Sequence, residues 1–155
     1  MTAPPHAAAT PWSSAGSVRG RALHTAVAWG VLWGILQAAS PLALFWLDAA
    51  TVYALGLVLI AAIYIGFSVA DGRPKVITVE VCVAAAFVVV AAVGVTGSAW
   101  LLVAGLAGHG VKDLWQHRTQ FVANTRWWPP FCAAVDFVAA VLIAVSIATD
   151  FPFPL

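Results

Sequence analysis

Charge is what this sequence has least of. Its 155 residues include 7 Lys or Arg and 6 Asp or Glu, so only 8% of the chain is charged. A water-soluble domain covers its surface with about 25% charged residues, and this chain cannot do so. A soluble globular fold is therefore excluded. The net charge of +1 also argues against a nucleic-acid partner, because no basic excess is available to neutralise a phosphate backbone. Cysteine is equally scarce. Cys82 and Cys132 cannot build a disulfide framework, form no CxxC pair for thiol–disulfide exchange, and read as small apolar core residues. No HExxH motif is present, so no metal or other cofactor is compelled by motif.

What the chain has is apolar surface. Apolar residues make up 63% of it, mean hydropathy is +0.96, and there are 8 tryptophans. These values identify an all-α integral membrane protein whose main partner is the lipid bilayer. Residues 1–21, rich in Ala, Pro, Ser and Thr, read as a disordered tail, and residues 22–150 as a single helical transmembrane domain. Five spans are expected, at about 22–40, 51–70, 76–95, 98–112 and 131–149. Gln37-Ala38-Ala39-Ser40 offers the small residues of a signal-peptide cleavage point. The apolar run before it is longer than an h-region of about 7–15 residues, so an uncleaved span is the reading. Val76–Val95 is rich in valine, yet an apolar run about 30 Å long in a bilayer must close its own hydrogen bonds as helix. The fourth segment reaches only about 20 Å. It spans only by continuing as an amphipathic interfacial helix over residues 112–128, bent near Gly108 or Gly110; the alternative is four spans plus a re-entrant segment.

With five spans, all seven basic residues (Arg19, Arg21, Arg73, Lys75, Lys112, Arg118, Arg126) fall on one side, and the other holds Asp48 and Asp150. The positive-inside rule then puts the N-terminus in the cytoplasm and the C-terminus outside, in the plasma (inner) membrane. Trp115, Trp127 and Trp128 mark the cytoplasmic interface and Trp46 and Trp100 the outer one.

Two acids, Glu80 and Asp136, lie inside expected spans, where an ionised carboxylate is costly and marks a functional suspect. Each is about 6–8 Å from the cytoplasmic end of its helix, and His109 is about 5 Å inside Lys112. Three titratable groups on three helices thus share one level. His109, Asp113 and His117 follow at i, i+4 and i+8, one stripe of a continuous helix, with side chains able to relay protons or hold a metal. The candidate cluster is Glu80, His109, Asp113 and Asp136, with His117 and Arg118 at its cytoplasmic mouth and His109, Asp113 and His117 as metal candidates. The competing expectation is that Glu80 and Asp136 pair with His109, Lys112 or Arg126 to fix helix packing, with Asp113 and His117 facing water. Gly30 and Gly34 form a GxxxG pair beside Trp29 and Trp33, a close helix contact or a homo-oligomer face.

No family is identified by these features. The leading functional expectation is a non-enzymatic packing, accessory or oligomeric membrane component, with a membrane-protein partner or a second copy of the chain. The alternative is a proton-coupled small-solute carrier or metal-binding membrane enzyme that uses the cytoplasmic-side cluster.

Overall fold

The computed structural model describes residues 11–123 and 125–150, with side chains from Gly20 onward. Every regular element among the described residues is a helix: α1 (Pro11–Ala38), α2 (Ser40–Ala43), α3 (Ala49–Asp71), α4 (Pro74–Thr96), α5 (Trp100–Thr119) and α6 (Trp128–Thr149). Of these, α3, α4 and α6 are long and apolar enough to cross a membrane. Their outer faces carry Leu59, Val89 and Val141, each more than 60% exposed, as suits contact with acyl chains rather than water.

Local chemistry sets the helix ends. Asp48 caps α3 by accepting from the Thr51 backbone N–H at 2.8 Å, which satisfies one of the unpaired donors of the first turn. Gly72 ends the same helix at φ +78°, donating its N–H to Ser68 O, a left-handed conformation that glycine adopts without steric cost. Pro74 opens α4, and Pro129 and Pro130 lie in the first turn of α6, where the missing N–H has no intrahelical partner to lose.

The main packing pairs are α1 with α6, α5 with α6, and α3 with α4, while α5 also meets α3 and α4. A Cβ added at Gly30 would stand 2.7 Å from Ala134 Cβ, and one added at Gly34 would stand 2.8 Å from Val138 Cβ. The two contacts advance together along both helices, so α1 and α6 run parallel. Arg73 donates to Phe121 O and Asp71 accepts from Ala123 N, so the α3–α4 turn meets the α5–α6 connection at one end.

Gly30 and Gly34 of the GxxxG pair pack within the chain, against α6. Three sequence expectations change here. The tail assigned to residues 1–21 is helical from Pro11, and its first ten residues lie outside the described part. Extending a helix outward from an apolar segment adds hydrogen bonds without a new nucleus. The fourth segment is one continuous helix of 20 residues, with no re-entrant turn. It stops at Thr119, where Gln120 turns left-handed at φ 49°, so residues 120–127 are a connection and not an amphipathic helix (Asn124 is outside the described residues). That connection is held by Gln116, whose amide donates to Val122 O and accepts from Val122 N.

The polarity of α5 is also reversed relative to an interfacial helix. Val111, Leu114 and Trp115 point outward, at 59%, 42% and 46% exposure, while His109, Asp113 and Gln116 are fully buried. In an apolar solvent the polar face is the one that turns inward.

Candidate functional site

Within α5, residues four apart stack on one face, which brings His109 and Asp113 together toward α6. Their Nδ1 and Oδ2 atoms are 3.4 Å apart. Asp136 on α6 completes the group, its Oδ2 standing 2.8 Å from the same Nδ1. The close approach depends on small residues. A Cβ at Gly105 would stand 2.6 Å from Leu57 Cδ2, and one at Gly110 would stand 3.0 Å from Phe137; glycine at both places lets α5 sit against α3 and α6. Phe87 holds the imidazole edge-on at 5.0 Å between ring centroids.

A second pair lies beside this trio. Lys112 Nζ is 2.6 Å from Glu80 Oε2 and 3.2 Å above the centre of the Tyr64 ring. The ammonium is thus neutralised by a carboxylate on α4 and faces the electron-rich face of an aromatic ring on α3. The Tyr64 hydroxyl lies next to Asp113 but makes no hydrogen bond of full geometry.

Unpaired polar atoms concentrate at this level. His109 Nε2, both carboxylate oxygens of Asp113, Asp136 Oδ1, Glu80 Oε1 and Tyr64 Oη are all buried without a hydrogen-bond partner. Three buried carboxylates, Glu80, Asp113 and Asp136, stand here with Lys112 and the His109 imidazole.

Each residue expected from the sequence has a definite place. His109, Asp113 and Asp136 come together, with one donor atom from each lying within 4.8 Å of the others. Glu80 stands apart from that group, on Lys112. The proposed third metal ligand, His117, is not in it; Asp136 takes that position, because α6 rather than a further turn of α5 closes the face. His117 is half-buried with Nδ1 unpaired, and Arg118 is exposed. Asp113 is fully buried, not water-facing. Tyr64 and Gln116 escaped the sequence reading. Tyr64 is one of 2 tyrosines and lies mid-span, where a buried hydroxyl needs a polar neighbour; that need was the available signal.

Beside the site, a groove of about 580 Å³ opens between α1, α3 and α6, lined in part by Trp29, Trp33, Trp128, Phe131 and Cys132.

These features define an all-helical membrane protein with a buried imidazole–carboxylate centre. Comparison with protein-family models, curated proteins and solved structures finds no match.

Proposed function

We propose that this chain is a multi-pass protein of the plasma membrane, crossing it five times, that binds a cation at His109, Asp113 and Asp136 and acts as a small-solute carrier. The alternation of α1, α3, α4, α5 and α6, with α1 parallel to α6, supports five crossings. The lipid-suited outer face of α5 supports counting it among them. Arg21, Arg73, Lys75, Arg118 and Arg126 flank the ends that gather near the α3–α4 turn, which supports a cytoplasmic N-terminus and an external C-terminus.

The observation that carries the reading is Asp113, a fully buried carboxylate with neither oxygen hydrogen-bonded. A group that serves packing alone is expected to be hydrogen-bonded, since a buried carboxylate left without a hydrogen bond destabilises the fold it is meant to hold. A bound cation supplies the missing partner, and ionisable residues inside membrane segments commonly line ion and substrate pathways.

Thermal melts of the purified protein in detergent, across a panel of Na⁺, K⁺, Mg²⁺, Ca²⁺, Mn²⁺ and Zn²⁺, test this. At least one cation should raise the melting temperature, because a ligand held 100-fold above its Kd adds about 2.7 kcal/mol to folded-state stability. Asp113→Asn should abolish the shift, and proteoliposomes should accumulate the same ion. If no cation moves the melt and Asp113→Asn simply raises it, the cluster is a packing element.

A further inference from the structure

We infer that the cation is a divalent first-row transition metal, held by His109 Nδ1 and one carboxylate oxygen each from Asp113 and Asp136. This inference rests on the cation-binding reading above and narrows it to one class of ion.

Two observations converge on that class. The first is spacing: the two nitrogen–oxygen separations are 3.4 and 2.8 Å. Donors that share a metal at about 2.0–2.2 Å are about 2.8–3.6 Å from one another in octahedral or tetrahedral sites. Both separations fall in that range, the two carboxylate oxygens lie within 4.8 Å of each other, and two of the ligands are fixed one helical turn apart on α5.

The second is donor type. One imidazole nitrogen and two carboxylates suit zinc, manganese, iron or cobalt. Calcium takes about 6–8 oxygen donors, and magnesium keeps several waters in an oxygen octahedron; this centre offers neither set. Three protein ligands leave coordination positions open, as a site that exchanges its ion or binds a further group requires.

Around the trio, Tyr64 Oη beside Asp113 and the Phe87 edge against the imidazole are neighbours that orient ligands and tune affinity.

The experiment uses the full chain, purified in detergent, stripped with a chelator and titrated with Zn²⁺, Mn²⁺, Co²⁺, Mg²⁺, Ca²⁺ and Na⁺ separately. The expected result is one high-affinity site per chain for a transition metal, visible as a melting shift, with no comparable effect of Mg²⁺, Ca²⁺ or Na⁺. His109→Gln and Asp136→Asn should each remove it, and Tyr64→Phe should weaken it roughly tenfold. Should the ligand variants not fold, Cu²⁺ bound to the unaltered protein serves instead. Its electron paramagnetic resonance spectrum should show hyperfine coupling to one imidazole nitrogen. Binding confined to Na⁺, equal binding of Ca²⁺, a spectrum without nitrogen coupling, or a transition-metal site that survives in folded Asp136→Asn would overturn the metal assignment and leave cation binding standing. No response to any cation would overturn both.

Discussion

Lys112 and Glu80, 32 residues apart in sequence, meet at 2.6 Å with Glu80 only 1% exposed. The pair ties α5 to α4 and places a compensated charge next to the trio. Removing one member leaves the other charged in an apolar setting, which costs about 3–5 kcal/mol where buried pairs have been broken. Lys112→Met and Glu80→Gln should each lower the melting temperature substantially. The double variant should recover much of the loss, because two apolar or neutral groups need no partner. A double-mutant cycle of thermal melts checks this; additive losses would show that the two groups act independently.

The α1–α6 contact depends on having no side chain at Gly30 and Gly34. Gly34→Val would drive its methyl groups into Val135 O and Val138, and overpacking of this kind costs about 1–3 kcal/mol. The expected outcome is a lower melting temperature with the molecular mass in detergent unchanged, measured by light scattering. A change of oligomeric state without loss of stability would show that the glycines serve a contact between chains.

Gln116 is fully buried and pairs with both backbone groups of Val122. Gln116→Leu should leave the Val122 N–H unsatisfied, while the Val122 C=O keeps the Thr125 hydroxyl, at about 1–3 kcal/mol. Amide exchange over residues 120–127 should then accelerate well ahead of exchange in the middle of α6. Equal acceleration in both regions would mean that the side chain supports the whole bundle rather than this connection.

Asp48 gives a pH prediction. The Thr51 side chain and backbone, bonding to the carboxylate, hold its pKa below the ordinary value of 3.8. A depressed folded value means that the cap contributes fully above the unfolded pKa and is lost as pH falls through the folded one. Exchange at the Thr51 and Val52 amides should therefore stay slow near neutrality and, after correction for its intrinsic pH dependence, rise only in strongly acidic solution. Asp48→Ala should give fast exchange at every pH and cost about 1 kcal/mol. A protection profile that is flat with pH in the unaltered protein would rule out the carboxylate as the cap.

Much of the fold class was legible because solvent leaves a compositional mark: too few charges for water, and apolar runs of bilayer length. The shared depth of His109 and Asp136 was legible from helix rise alone. The direction of the α5 polar stripe was not. The same spacing of polar and apolar residues describes a helix at a water interface and a helix turned inside out within lipid, and only the neighbouring helices decide between them. Asp113 therefore had two expected places, the cluster or water, and it lies in the core. The replacement of His117 by Asp136 has the same origin, since spacing along one helix says nothing about which residue another helix brings to the open side. Gly30 and Gly34 show the same ambiguity: the motif specifies a close approach without naming the partner.

The parallel contact of α1 with α6 has a consequence for biosynthesis. Gly34 and its partner Val138 are separated by about a hundred residues, which a ribosome adds in roughly 5–20 s. Helix α1 thus waits for α6 before it can dock. The same late arrival delivers Asp136 to His109 and Asp113. Closure of the bundle and completion of the charged centre are a single event that follows synthesis of α6, and a chain truncated before α6 would have neither.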